Sequence, residues 1–261
     1  VGGAGVGLLN HTIMTFLKFK TMALLACALL TGNTVWAQTK QPVDYVNPYI
    51  GNISHLLVPT FATVQLPNSM LRVYPASADY TSKQVNGLPV IVTNHRERSA
   101  FSISPYLGNN PQPVVASTWD NEHITPYSFD IELADNTIAA RYAVAPQSAI
   151  YDIEPMEQGK HFYIMVNSQQ VTDGTRVYIY AEVDAQPVEA GILKDGKVEA
   201  DKKAEGSNAC AAMRFADGTK KVSLRYGVSF ISSDQAKKNL YREQNGFNLA
   251  VVKKAGRETW N

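Results

Sequence analysis

Four histidines beyond residue 38 are the side chains best suited to proton transfer or metal ligation: His55, His95, His123 and His161. No two of them stand at the i, i+4 or short-loop spacing of a zinc site, so no local metal motif is present. His161 falls in an expected strand, Lys160 to Val166, and reads as structural. His123 follows Trp119-Asp120-Asn121-Glu122 in an expected loop and reads as solvent-facing. His55 and His95 differ, because each sits among polar and Pro/Gly residues rather than in an alternating strand. Asn94-His95-Arg96 closes the apolar strand expected over Leu88 to Thr93. Loops at strand ends are where binding groups are displayed. The candidate binding residues are therefore His55, Asn94, His95 and Arg96. The alternative is that they are ordinary loop residues solvated in different places.

Paired carboxylates give no clear catalytic signal. Asp130 and Glu132 share one face of a strand and read as a solvated face, while Asp120 and Glu122 read as loop charges. No G-x-S-x-G, P-loop or dinucleotide fingerprint is present. No catalytic residue and no metal ligand can be assigned from these patterns. A formal charge of +1 leaves no basic footprint for nucleic acid. With 45% hydrophobic residues and two cysteines, the chain is neither disordered nor a disulfide scaffold. Its 13 tyrosines and three tryptophans suit stacking on sugars, and they are equally standard strand residues.

The elements that must position these groups are strands. Tyr127, Phe129, Ile131 and Leu133 alternate with Ser128, Asp130 and Glu132. The same period runs through Ile138 to Val144, Val177 to Val183, and Val222 to Phe230. One face is expected on a core and the other toward water, as in antiparallel sheets. Asp135-Asn136, Asp195-Gly196 and Asp217-Gly218 each separate two such runs and predict hairpin turns. Cys210, in an apolar strand, reads as a buried small hydrophobe. Ser232-Ser233-Asp234 then offers N-cap side chains for a helix over Gln235 to Gln244, with Ala236 and Leu240 on one face. Asn245-Gly246 interrupts it, and a second helical stretch begins at Phe247. These helices are expected to lack a partner, as if a second domain were beginning at Trp260-Asn261. The fold class is all-β: a large antiparallel β-sandwich followed by short linker helices.

Residues 1–13 carry no readable structure. From Met14, the basic Lys18 and Lys20, the apolar run Met22 to Leu30 and Val35-Trp36-Ala37 form a secretory signal with cleavage expected after Ala37. The apolar run is too short for a transmembrane segment. Leu24-Leu25-Ala26-Cys27 can alternatively be read as a lipobox, which would lipid-anchor the protein at Cys27. The product is expected to be exported, to the periplasm or cell surface. The expected divisions are 1–37 for extension and signal, 38–231 for the sandwich and 232–261 for the helices.

Asp44-Tyr45-Val46-Asn47-Pro48-Tyr49-Ile50-Gly51 resembles the opening of bacterial glycoside hydrolase family 92 α-mannosidases. The resemblance continues through Val58 to Met70 and reaches Ala236 to Leu240 and Trp260-Asn261, covering nearly all of 43–261. It implies an N-terminal β-sandwich packed on a longer (α/α)6 catalytic domain, calcium dependence, inversion and mannose-containing glycans as substrate. The acid and base carboxylates of that family belong to the helical domain, which is expected to be missing here as an intramolecular partner. The fragment alone is expected to be inactive, since inversion needs both carboxylates about 6.5–9.5 Å apart. His55 and His95 match family motif positions, whereas Gly51-Asn52-Ile53-Ser54 and Ile91-Val92-Thr93 depart from the family's flanking residues. Two other readings stand beside this one: a free-standing carbohydrate-binding module, and a structural or adhesive surface domain.

Overall fold

The alternating runs become strands in the computed structural model, which describes residues 39–50, 62–74, 82–93, 99–168, 174–206 and 209–261. A 3-10 turn over Pro42–Tyr45 precedes a ribbon of β1 (Val64–Gln65) and β2 (Arg72–Val73). There follow β3 (Gln84–Asn86), β4 (Leu88–Pro89), β5 (Phe101–Leu107), β6 (Ala116–Thr125), β7 (Ser128–Leu133), β8 (Ile138–Val144) and β9 (Ser148–Pro155). Then come β10 (Phe162–Ser168), β11 (Tyr178–Val183), β12 (Glu189–Lys194), β13 (Lys197–Glu199), β14 (Cys210–Phe215) and β15 (Val222–Ser229). Two helices follow, α1 (Ser233–Glu243) and α2 (Leu249–Trp260).

Two antiparallel sheets form the sandwich. One runs in the order β13-β12-β14-β10-β5-β4 and the other β11-β15-β9-β8-β7-β6-β3. Phe129, Tyr142, Tyr151 and Tyr226 of the second sheet pack in one core with Ile103, Phe162, Ile164 and Phe215 of the first. Inward residues of both layers thus interdigitate, as alternation requires of stacked sheets. Cys210 is buried in β14, and desolvation pushes its thiol up to about 12.

Turn chemistry is realised at two of the three expected hairpins. Asp195 and Gly196, with φ of 48° and 75°, close β12 onto β13 in a two-residue turn. Asp135 and Asn136 are likewise left-handed between β7 and β8. Asp217-Gly218 makes no hairpin: it carries the chain from β14 in one sheet to β15 in the other. A tight Asp-Gly turn fixes a local reversal and does not choose which sheet receives the next strand.

Other expectations are corrected by packing. Trp119 to Glu122 lie within strand β6, where a register shift between Asp120 and His123 forms a bulge and Asn121 takes φ 51°. The polar run that reads as a loop supplies the residues a bulge tolerates. Phe230 falls beyond the end of β15 and is 43% exposed. The terminal helices do have partners, because Gln41–Asn261 form one compact unit and both helices lie on the second sheet. As a result β15 is buried on both faces, not one.

Helix α1 starts where expected, with Ser232 Oγ accepting from Gln235 N at 3.1 Å, and it buries Ala236, Asn239 and Leu240. Burial of a leucine such as Leu240 contributes about 1.5–3 kcal/mol. Gly227 lets the helix approach, since a Cβ there would collide with the Ala236 carbonyl and with Leu240. On this outer face Arg225 of β15 donates to Glu182 of β11 from Nε (3.1 Å) and Nη2 (2.8 Å), and to the Gln244 carbonyl from Nη1 (2.9 Å). The Phe247 and Tyr241 rings cover its guanidinium at 4.6 and 5.4 Å. Helix α2, capped by Asn248, lays Val252 and Gly256 over β8, with Gly256 facing Tyr127 and Val144.

Candidate functional site

The segment leading to Asn94 is moored in an unusual way. Only Leu88 and Pro89 join a sheet; Pro89 has no N–H, and the expected strand over Leu88 to Thr93 stops there. Val90, Ile91 and Val92 are nevertheless buried, so their backbone groups need partners. Side chains supply several of them. Ser99 Oγ accepts from Val90 N at 2.8 Å and Ile91 N at 3.0 Å. The Tyr226 hydroxyl donates to the Val90 carbonyl at 2.7 Å, and the Tyr151 hydroxyl donates to the Pro89 carbonyl. Both tyrosines come from the opposite sheet, in a ring series Phe129, Tyr142, Tyr151, Tyr226 with neighbouring centroids 4.8–6.2 Å apart.

The opening segment is held at two points. Arg257 of α2 pairs with Asp44, and Asn261 Oδ1 accepts from Val43 N at 3.2 Å. Further along, the Tyr49 hydroxyl donates to the Glu122 carboxylate. Burial, then the Glu122 charge and this hydrogen bond, push Tyr49 up to about 12. Burial raises the Glu122 carboxyl above its ordinary range, against the lowering effect of the Tyr49 bond. Glu122 also acts electrostatically on Tyr142, whose buried hydroxyl has no hydrogen-bond partner among the described residues.

The β6 bulge therefore turns a carboxylate toward the inside of the sandwich. Three residues earlier, Trp119 stands opposite Leu133 in the register. Directly opposed residues share a face, so Trp119 is on the core side. Leu133 is 2% exposed and Trp119 38%, so the indole is inward yet open to solvent. A half-buried carboxylate, a phenol and an open indole can accept hydroxyl hydrogens and stack on an apolar ring face.

The four residues singled out by sequence, His55, Asn94, His95 and Arg96, lie outside the described residues, as does the 1–37 leader. The described positions that flank them are Ile50, Ala62, Thr93 and Ser99. His123 projects a largely exposed ring 4.0 Å from Asp130, and His161 stands 3.0 Å from Asp217 just before β10. Asp130 also meets Lys253 of α2 at 3.5 Å. Among the described residues, no three His, Cys, Asp or Glu side chains converge. Tyr49, Trp119 and Glu122 are absent from the sequence-based candidates; the one signal for them is the polar interruption in an aromatic strand.

Comparison with known proteins agrees with this architecture. The glycosyl hydrolase family 92 N-terminal domain matches residues 45–173, starting within the opening segment. A family GH92 inverting mannosidase from Bacteroides thetaiotaomicron superposes with a TM-score of 0.68 at 19% identity, covering 85% of this chain and 36% of that one. A family GH92 α-mannosidase from the same organism gives a TM-score of 0.70 at 17% identity, over 86% of this chain and 38% of that one. Its complex with mannoimidazole gives 0.68 at 16%, with 84% and 36% covered. This chain thus spans a little over a third of the length of those enzymes. No curated protein sequence matches it. Fold, opening segment and matched span agree: residues 45–173 match the glycosyl hydrolase family 92 N-terminal domain.

Proposed function

We propose that the chain is the active-site-supporting β-sandwich of an exported, calcium-dependent exo-α-mannosidase that acts on mannose-containing glycans. The observation that carries this is the family match beginning at Tyr45, in the segment that the sandwich ties to both α2 and β6. In this reading, His55, Asn94, His95 and Arg96 contact sugar hydroxyls from segments whose flanks Ala62 and Ser99 are packed into the domain. Asn, neutral His and Arg offer donors and acceptors, and Arg adds a fixed charge. Calcium and the acid and base carboxylates belong to a helical domain that pairs with the sandwich. The experiment is calorimetry of the 261-residue chain with an α-mannobiose, with mannose release followed in parallel. Saturable binding without release, with or without added calcium, is expected. Release of mannose, or preference for galactosides over mannosides, overturns the reading.

One observation favours a second reading. Both terminal helices bury their apolar faces against the sandwich itself, as they would in a free-standing carbohydrate-binding module. That module would bind with the same affinity whether or not a helical domain is supplied.

A further inference from the structure

We infer that Trp119, Glu122 and Tyr49 form a binding site for a neutral pyranoside bearing adjacent hydroxyls, at the bulge of β6. This deepens the mannoside reading and rests on it only for which sugar is preferred.

The bulge is the device that builds the site. In an uninterrupted strand, Trp119 and Glu122 would fall on opposite faces, being an odd number of residues apart. The register shift between Asp120 and His123 breaks that parity. Trp119 keeps the face of its partner Leu133, and Glu122 bonds the half-exposed Tyr49 and acts electrostatically on the core residue Tyr142. The other polar residues of the bulge are engaged on the opposite face. Asn121 Nδ2 donates to Glu132 at 2.7 Å, and the Thr118 hydroxyl donates to Asp135 at 2.8 Å. Glu122 alone of this run turns to the aromatic side.

The chemistry selects a class of ligand. A carboxylate presents about four acceptor sites, and the Tyr49 hydroxyl occupies one. Two adjacent sugar hydroxyls could donate to the remainder, in charge-assisted bonds roughly twice as strong as neutral ones. Tyr49 oxygen, its proton already committed to Glu122, is left as an acceptor for a third hydroxyl, and such chains reinforce one another. The open indole offers a rigid apolar platform at low entropic cost. Glu122 repels a sugar acid, which restricts the class to neutral sugars. Burial that raises the Glu122 carboxyl is a standing cost, offset by hydroxyl donors.

The test titrates the 261-residue chain with methyl α-mannopyranoside, methyl β-galactopyranoside and a mannuronate, reading tryptophan emission and heat. Expected is saturable binding of a neutral glycoside with an emission change, and at least tenfold weaker binding of mannuronate. Trp119→Ala and Glu122→Gln should each weaken binding tenfold or more, with Tyr49→Phe weakening it less. If Trp119→Ala fails to fold, the isosteric Glu122→Gln and the milder Trp119→Phe decide alone. Variants that bind mannoside like the parent chain overturn the site and leave the mannoside reading intact. Binding of galactoside through Trp119 and Glu122, without mannoside binding, upholds the site and overturns that reading. No binding of either neutral glycoside overturns the site.

Discussion

Asp44 and Arg257, 213 residues apart in sequence, are locked fork to fork, with Nη2 donating to Oδ2 at 2.7 Å and Nη1 engaging Oδ1. The pair straps the opening segment to the last helix, and the Arg257 guanidinium is held charged well above its already high range by Asp44 and Tyr127. Both side chains are 28% exposed, so the strap is sensitive to salt. Asp44→Asn should lower the melting temperature by a few degrees in dilute buffer and by less in 1 M salt. Hydrogen exchange over 42–50 should quicken at the same time. An unchanged exchange pattern would show that the segment is held by other contacts.

Glu182 sits at the centre of the device that fastens α1 to the sheet. Burial raises its carboxyl, but hydrogen bonds from Tyr241, Arg225 and Tyr180 outweigh this and hold it below the ordinary range. A lowered folded-state value means the contribution is complete above the unfolded value, about 4.3, and is lost as pH falls through the folded one. Glu182→Gln leaves the nearly buried Arg225 without its counter-charge. It should cost about 1–3 kcal/mol at pH 7, below the range for fully buried pairs because Glu182 is partly exposed. Urea titrations of both proteins should converge below pH 4.

Glu122 has the opposite sign. Its folded-state value is raised, so the folded protein binds this proton more tightly than the unfolded chain does. Its contribution is most favourable below the unfolded value and declines as pH rises through the folded one. Glu122→Gln, which can still accept from Tyr49, should therefore be more stable than the parent at pH 8 by a few tenths of a kcal/mol or more. The difference should vanish near pH 4. A variant less stable at pH 8 would mean that the carboxylate supports the fold itself.

The proposed export makes a chemical prediction. Protein secreted by the native cell should begin at Gln38 on N-terminal sequencing, because Val35-Trp36-Ala37 carries small residues where a signal peptidase reads. A lipidated start at Cys27 would identify the lipobox reading as correct. In either product, Cys210 should resist iodoacetamide until the domain unfolds, because its thiol is buried and held protonated.

Alternation made the sandwich legible, since Phe129, Ile131, Tyr142 and Leu224 lie on the expected inner faces. Caps made the helices legible, since the Ser232 hydroxyl accepts the otherwise free Gln235 N–H at the helix start. What could not be read was long-range choice. Asp217-Gly218 looks like any hairpin until β15 joins the other sheet, and Arg225 looks like a solvated strand residue until α1 closes over it. The site was the least legible, because His55 and Asn94 to Arg96 stand out by type, whereas Trp119 and Glu122 acquire a shared face only through the bulge. Parity over an uninterrupted strand would have separated them.

The two core hydroxyls that hold Pro89 and Val90 make the interior an anchorage for the surface. Replacing Tyr151 or Tyr226 by phenylalanine leaves the aromatic packing nearly whole, yet orphans a carbonyl on the chain just before Asn94. The damage from such a change would surface in how the 88–93 segment holds its neighbours, far from the altered ring. A residue can thus govern how this segment is held while buried at the centre of the domain, and a search confined to solvent-facing positions would pass it by.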